Sequence, residues 1–457
     1  MILEKKNIHF IGIGGIGMSS VALILLKMGY EVSGSDLESN NLTEKLKKLG
    51  GKIFKGHYRS NIGPDTDIVI YSSSINNANP EIVEAKSRGI PVVKRAEALG
   101  ELLNKKKGIA VTGTHGKTTT TSLISVMMEN CGLDPTVMIG GEVELFGSNA
   151  KYGNSEYVVA EADESDGSFL HLKPFYSVVT NIEMEHVDYY RTIEDSINAY
   201  AAFVNNTKRT GMLFFNNDDE NIKKALKSFK GRHESFSLRK GADIYPHDIK
   251  MNEFRSSYMC VYKDGVLGRV FLKIPGRHNI LNSLAVILVG LRLSLPFENI
   301  TQAIQDFAGT KRRFHLAADI DGIMLIDDYA HHPTEIRAVL EACGNWKERR
   351  LIVIFQPHRY SRTQFLAEEF GRCFKGAHKL ILADIYAASE EPIEGVSSEI
   401  IYNKVKAHGP EDVIMLDKKE IADHVMKLKK KGDMILVLGA GDIKDVAMEL
   451  SEKLNKG

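Results

Sequence analysis

The stretch Gly108-Ile109-Ala110-Val111-Thr112-Gly113-Thr114-His115-Gly116-Lys117-Thr118-Thr119-Thr120 runs from an apolar segment straight into a loop of glycine and threonine, then into a helical pattern that reaches Glu129. A strand, a glycine loop and a helix in that order make the βα unit of a parallel sheet. Glycines let several backbone N–H groups converge on one anion, and the helix N-terminus adds its partial positive charge. Lys117 supplies a cation for the terminal phosphates of a nucleotide, and Thr118 offers a hydroxyl to Mg²⁺. The full pattern has a further glycine where this chain has Val111, so only the Gly116-Lys117-Thr118 core matches. A helix start rich in capping threonines accounts for the hydroxyls, but not for Gly-x-x-Gly-Lys directly after a strand. Gly113, Thr114, His115, Gly116, Lys117, Thr118 and Thr119 are therefore the expected ATP-binding loop.

Downstream, two apolar runs end in ligands suited to a hard cation. Val158-Val159-Ala160 is followed by Glu161, Asp163, Glu164 and Asp166, and Val178-Val179 is followed by Thr180-Asn181, then Glu183, Glu185 and His186. Ligands gather at the carboxyl ends of strands in open α/β sheets, so both segments are expected to face the loop. One acidic cluster alone is usually a solvated face. Two of them after inner strands, beside a phosphate loop, point to Mg²⁺, which takes oxygen donors.

Upstream, apolar runs at Ile8–Ile13, Glu31–Ser35, Lys52–Phe54, Asp67–Ser72 and Pro91–Lys94 alternate with helical patterns, which implies a parallel, doubly wound sheet. Gly12-Ile13-Gly14-Gly15-Ile16-Gly17 fits Gly-x-Gly-x-x-Gly after the first strand, and Asp36 ends the next, ~20 residues on, as in dinucleotide-binding folds. The physical content is a diphosphate at a helix N-terminus, which NAD and a UDP-sugar satisfy equally. Residues 233–275 read as antiparallel, with a hairpin at Lys263-Asp264-Gly265. From Ile323 the strand and helix alternation restarts, with a helix from Thr334 and another from Phe365. The fold class is α/β with three domains: a Rossmann-like domain over 1–104, a P-loop domain with a mixed sheet over 105–312, and a second Rossmann-like domain over 313–457.

Bulk composition agrees with that division. A chain of 457 residues exceeds what one core supports, and 43% apolar with 26% charged residues is ordinary for a globular protein. Lys+Arg and Asp+Glu balance at 59 each, so no global field draws the chain to nucleic acid or to a membrane. The polar start Met1–His9 and the lack of a long uncharged run point to a cytoplasmic protein. Four scattered cysteines suggest neither a zinc site nor a disulfide framework. A monomer or weak homodimer is expected.

Taken together these segments resemble the Mur ligases, along with Pro275-Gly276-Arg277-His278-Asn279 and Asn282, and Asp327-Asp328-Tyr329-Ala330-His331-His332-Pro333. Gln356-Pro357-His358-Arg359-Tyr360-Ser361-Arg362-Thr363 is similar to the alanine-adding branch of that family, and the likeness runs from residue 8 to 442. The resemblance implies an ATP- and Mg²⁺-dependent ligase whose partners are UDP-N-acetylmuramate, L-alanine and ATP. It implies that Lys117 and Thr118 hold phosphates and Mg²⁺, with Glu161 and His186 as further metal ligands. It places His278, Asn279 and Asn282 near adenine, and brings Arg313 and Asp328 to ATP from the third domain. Tyr329, His331, His358, Arg359 and Arg362 would line the amino-acid site. Gly14, Gly15, Gly17, Ser19, Asp36, His57, Ser72 and Ser73 would contact the sugar nucleotide. Lys117, Glu161, His186, His331, His358, Arg359 and Arg362 are the expected catalytic set, with the two arginines one helical turn apart to clamp the alanine carboxylate. Some relatives carry a carbamylated lysine after the metal-binding histidine, but Asn198-Ala199-Tyr200-Ala201-Ala202 offers none, so no carbamate bridge is expected. Competing readings are an NAD-dependent oxidoreductase built on the first glycine loop, an ATP-driven switch without ligase activity, and a sister ligase for another amino acid or a peptide. Closure about hinges near residues 105 and 313 is expected.

Overall fold

The computed structural model describes residues 2–187, 189–346, 348–388 and 390–456. They form three sheets of five, ten and six strands. In the first, strand Asn7–Ile11 lies at the centre between Glu31–Asp36 and Ile68–Tyr71, with Lys52–Lys55 and Val92–Lys94 outside, all parallel. The central sheet is mixed. Its parallel part carries Lys107–Thr112 between Tyr157–Glu161 and Tyr176–Val179, and its antiparallel part comprises Ile244–Asn252, Arg255–Tyr262 and Gly265–Leu272. The hairpin expected at Lys263-Asp264-Gly265 joins the last two. In the third sheet Ile323–Asp328, Met434–Leu438, Leu351–Phe355, Lys379–Leu382 and Val413–Met415 run parallel.

The inner strands form where the sequence is uninterrupted and apolar. Leu351–Phe355 and Met434–Leu438 are buried at every position, as a sheet covered by helices on both faces requires. Three strands lack such an unbroken run. Strand Thr136–Val143 pairs antiparallel with Ser148–Lys151 at one edge of the central sheet, and the largely exposed His315–Ile320 adds an antiparallel edge to the third. The helix expected from Phe365 is two, Tyr360–Phe365 and Ala367–Cys373, broken at Leu366.

The cores do not follow the expected division into three. Ile8, Phe10, Val21 and Leu99 of the first sheet's layers share one apolar cluster with Met138, Ala150, Phe169 and Leu213 of the central layers. Helix Ile16–Lys27 packs on strands Thr136–Val143 and Ser148–Lys151, and Asn149 Nδ2 donates to Ile16 O at 2.7 Å. A hinge near 105 would have to part that shared core. The third sheet keeps clusters of its own, entered from the central layer by the partly buried Phe254, whose ring lies 4.8 Å from that of Trp346.

Candidate active site

Because Lys107–Thr112 pairs with Tyr176–Val179 and Tyr157–Glu161 on its two sides, its carboxyl end brings three segments together. These are the loop at 113–116, the acids from Glu161, and Thr180–His186. The loop requires glycine twice. Gly113 has φ 137°, and a Cβ there would overlap the Thr180 hydroxyl; Gly116 has φ 81°, and a Cβ would come 2.9 Å from Asn282 Oδ1. Thr180 and Asn181 grip the loop by its backbone. Thr180 Oγ1 and Asn181 Nδ2 donate to His115 O at 2.6 and 3.0 Å, and His115 N donates to Asn181 Oδ1 at 2.8 Å. Helix Lys117–Asn130 begins without a side-chain cap, which leaves its first N–H groups for an anion.

Lys117 lies across this loop, with Nζ donating to Gly113 O at 2.6 Å, Thr114 O at 3.1 Å and Glu164 Oε1 at 2.8 Å. Thr118 Oγ1 sits 3.1 and 3.0 Å from the two oxygens of Glu161. Hard oxygen donors side by side at a phosphate loop suit Mg²⁺. Behind them, Asp163, Glu164 and His186 bring one ligand atom each within 4.8 Å of the others, and Glu164 Oε2 is buried without a hydrogen-bond partner. A cation would satisfy that set. Burial pushes the Glu164 carboxyl up to about 7 against the pull of Lys117, whereas Lys117 and His186 outweigh burial at Asp163 and hold it below the usual range. His186 has φ 54°, a left-handed backbone that the surrounding acids and strand end must hold in place.

A second set of charges joins the central layer to the third. His115 Nδ1 lies 3.1 Å from Glu335 Oε1, and its Nε2 lies 3.3 Å from Glu183 Oε2. The two carboxylates outweigh burial and push His115 up to about 10, while Glu183 is held down to about 2. Thr334 Oγ1 donates to Glu183 Oε2 at 2.7 Å. Two residues on, Glu185 Oε1 accepts from Arg362 Nε at 2.8 Å and Nη2 at 2.6 Å. Arg362 Nη1 donates to His358 Nδ1 at 2.9 Å.

These contacts revise the expected arginine clamp. Arg359 is the N-cap of helix Tyr360–Phe365 with φ 70°, its carbonyl accepting from Thr363 N at 3.2 Å, and Arg362 is buried against Glu185. Asp328 is also turned inward. It accepts from Phe314 N at 2.6 Å and Ala330 N at 2.7 Å, and burial lifts it to about 6, so it shapes the loop that carries Arg313. Asn279 and Asn282 are buried, Asn282 against Gly116, while His278 is exposed on the first turn of Arg277–Arg292.

In the first layer, Gly14 N donates to Asp36 Oδ2 at 2.7 Å, and Asn40 Nδ2 donates to Gly14 O at 3.0 Å. Asp36 thus staples the glycine loop. Ser19 and His57 are engaged by neighbouring residues and do not line the cavity that touches all three layers. Ser19 Oγ donates to Ile16 O at 3.0 Å beneath the Asn149 contact, and His57 Nδ1 lies 2.9 Å from Ser35 Oγ beside the fully buried Glu81.

One cavity of ≈ 780 Å³ touches all three layers: Gly15, Gly17, Ser72 and Ser73; Thr114 to Thr118, Glu161 and His186; Arg313, Tyr329, His331, His358, Arg359 and Arg362. It is also lined by Arg95, Lys311, Arg312, Glu335 and Lys444, which the sequence reading left out. The run Lys311-Arg312-Arg313 was a usable signal, since its last two guanidiniums lie 4.9 and 5.0 Å from the Tyr329 ring centre. Arg95 had none; it stands alone at a helix start and reaches Gly17 only in the fold.

Three family models match consecutive parts of the chain: the Mur ligase family catalytic domain over 7–107, the Mur ligase middle domain over 111–290, and the Mur ligase glutamate ligase domain over 312–441. The chain is 46% identical over 451 residues to a UDP-N-acetylmuramate--L-alanine ligase of Geotalea uraniireducens, covering 98% of each. It is 44% identical over 455 residues to the enzyme of that name from Pelotomaculum thermopropionicum, covering 99% of this chain and 98% of the relative. Among solved structures, the UDP-N-acetylmuramate-alanine ligase MurC of Thermotoga maritima superposes with a TM-score of 0.83 at 30% identity, covering 98% of this chain and 99% of that one. A murein peptide ligase from Psychrobacter arcticus shares the fold, with a TM-score of 0.73 at 23% identity and 99% of each chain covered. By full-length identity, by three consecutive domain matches and by fold, the chain belongs to the Mur ligase family.

Proposed function

We propose that the protein joins L-alanine to the lactyl carboxylate of UDP-N-acetylmuramate, with ATP cleaved to ADP and phosphate, as a step of peptidoglycan precursor synthesis. The observation that carries this reading is the cavity in which a lysine and threonine phosphate loop, a stapled glycine loop and an imidazole and guanidinium cluster all meet. The relatives named above act on the same pair of substrates by their names. Residues 1–104 hold the sugar nucleotide, 105–312 hold ATP, and 313–457 bring the amino acid and close the ATP site.

Joining a carboxylate to an amine in water is uphill, so the carboxylate must first be activated. Its oxygen attacks the γ-phosphate in line, giving an acyl phosphate and ADP. Lys117 and the amides of the loop offset the charge that spreads over the phosphoryl oxygens. Thr118 and Glu161 would hold one Mg²⁺ and His186, with Asp163 or Glu164, a second; bound there, the metal draws charge from those oxygens. Lys117 exchanges its Glu164 contact for phosphate when nucleotide enters. The amine of L-alanine then attacks the acyl carbon and phosphate leaves. Arg313 and Tyr329 face the nucleotide side of the cavity, and Arg359 and Arg362 the amino-acid side. Ser72, Ser73 and Arg95 face the diphosphate of the sugar nucleotide. The reading includes a cytoplasmic enzyme, monomeric or weakly dimeric; among the described residues no helix is long and apolar enough to cross a membrane.

The test is phosphate release with ATP, Mg²⁺ and UDP-N-acetylmuramate, with and without L-alanine. Release that depends on both substrates, with UDP-N-acetylmuramoyl-L-alanine identified by mass, is expected. Turnover that ignores the amino acid contradicts the proposal. Serine and glycine in competition measure selectivity, since one methyl group is worth only ~1–3 kcal/mol in a pocket.

A further inference from the structure

The two imidazoles that line the cavity beside Arg362 are fixed in opposite tautomers. His331 Nδ1 lies 2.9 Å from the Tyr329 carbonyl oxygen and 3.4 Å from Glu335 Oε2. A carbonyl only accepts, and so does Glu335, which the charged His115 and Arg313 keep ionised against burial. Nδ1 of His331 therefore carries the proton, and Nε2 keeps its lone pair. His358 is the reverse. Its Nδ1 lies 2.9 Å from Arg362 Nη1, and a guanidinium only donates, so Nδ1 accepts and the ring proton sits on Nε2. Arg362 is itself anchored by Glu185, which keeps it from turning to release His358. The ring centres are 5.6 Å apart on the same cavity. Burial holds both rings neutral, His331 down to about 4 against the opposing pull of Glu335, and His358 down to about 2 with Arg362 and Arg359 adding to the effect.

We propose that His331 Nε2 is the proton acceptor for the attacking amine, while His358 Nε2–H is a hydrogen-bond donor to substrate oxygen and never the base. The assignment rests on the ligase reading above. Alanine reacts as the free amine. Its nitrogen forms the C–N bond as the carbonyl electron pair moves onto oxygen, and His331 Nε2 takes one proton from the nitrogen of that adduct. The C–O bond to phosphate then breaks with its pair on the leaving phosphate, and His331 passes the proton to solvent. An imidazole of lowered basicity suits this step, because the nitrogen of the adduct is far more acidic than the ammonium of free alanine. Glu335 and the Tyr329 carbonyl act as the orienting partners that fix the useful tautomer.

The test compares His331→Gln with His358→Gln in the full-length enzyme with ATP, Mg²⁺ and UDP-N-acetylmuramate, offering either L-alanine or hydroxylamine. Hydroxylamine is uncharged at neutral pH and traps the acyl phosphate without help from an enzymic base. The ratio of alanine product to hydroxamate should fall by about 100-fold or more in His331→Gln, as a drop in kcat rather than a rise in KM for alanine. In His358→Gln, whose amide N–H replaces the donor, the ratio should fall by less than about 10-fold. A His331→Gln ratio near that of wild type, an equal fall in both variants, or joint loss of hydroxamate and alanine product in His331→Gln each overturns the base assignment. A wild-type enzyme that forms no hydroxamate dependent on the sugar nucleotide overturns the ligase reading instead.

Discussion

The molecule contains two glycine loops built on one plan, and they differ in what surrounds them. Each follows the inner strand of a parallel sheet and opens a helix: Gly12 to Gly15 after Asn7–Ile11, and Gly113 to Gly116 after Lys107–Thr112. The first is stapled by a carboxylate, Asp36 on Gly14 N, and is faced by Arg95. The second carries its own lysine, with Thr118 against Glu161 and the acids and imidazole of Asp163, Glu164 and His186 behind. The uncapped first helical turn after each loop offers N–H groups to an anion, and the side chains select which one. An arginine without a metal-ligand set suits a diphosphate already esterified on both sides. A lysine beside hard-cation ligands suits a triphosphate about to be cut.

That contrast is broken or sharpened by substitutions in each loop. Lys117→Ala should cost the largest amount, about 10³-fold in kcat, with the thermal unfolding midpoint little changed. Near-normal phosphate release would show that the second loop is not the site of transfer. Arg95→Ala should raise KM for UDP-N-acetylmuramate by about 10- to 100-fold, the range of a charge-assisted hydrogen bond, and leave KM for ATP alone. An equal rise in both would erase the distinction between the loops. Gly113→Ala and Gly17→Ala form a matched pair. The first forces a Cβ at φ 137° into Thr180, so nucleotide affinity and stability should fall together; the second meets only the end of Arg95, which can move. Calorimetry on the two variants checks the order, and a milder Gly113→Ala would contradict it.

The smallest expected effect is one of pH. The folded pKa of His115 is raised to about 10, so its contribution is fully present below the ordinary histidine value and is lost as pH rises toward about 10. Glu183 is depressed to about 2, so its share is present above the ordinary carboxylate value and is lost only in strong acid. His115→Gln should therefore lower the melting midpoint by about 2–4 °C near neutrality, and the gap to wild type should close above pH ~10. A gap that stays constant from neutral to alkaline pH would rule out the imidazolium bridge.

Most of the architecture was legible because inner parallel strands are short unbroken apolar runs, as in Leu351–Phe355, and because the phosphate loop keeps its ligands contiguous. Edge strands such as His315–Ile320 carry no comparable pattern, being half exposed. The site was legible where chemistry is local, as at Lys117 and Thr118, and where two acidic runs end neighbouring strands. It was not legible where a side chain is claimed by a partner far along the chain. His115 reads as part of a nucleotide loop, yet its ring bridges Glu183 and Glu335. Arg362 reads as half of a clamp, yet Glu185 holds it, and Arg359 takes a left-handed backbone at the helix start. The resemblance put His57 and Ser19 beside the sugar nucleotide, but their hydrogen bonds go to Ser35, Ile16 and Asn149, partners that only the assembled sheets bring near.

The unequal sharing of cores has a mechanical consequence. The first two sheets are welded through one apolar mass, whereas the third meets the central layer through carboxylate contacts, the neighbouring rings of His115 and His332 and the inserted ring of Phe254. Displacing that third layer would expose little apolar surface and break contacts that water can replace. The two glycine loops thus ride on one chassis, and the imidazole and guanidinium cluster sits on a layer whose latch is electrical.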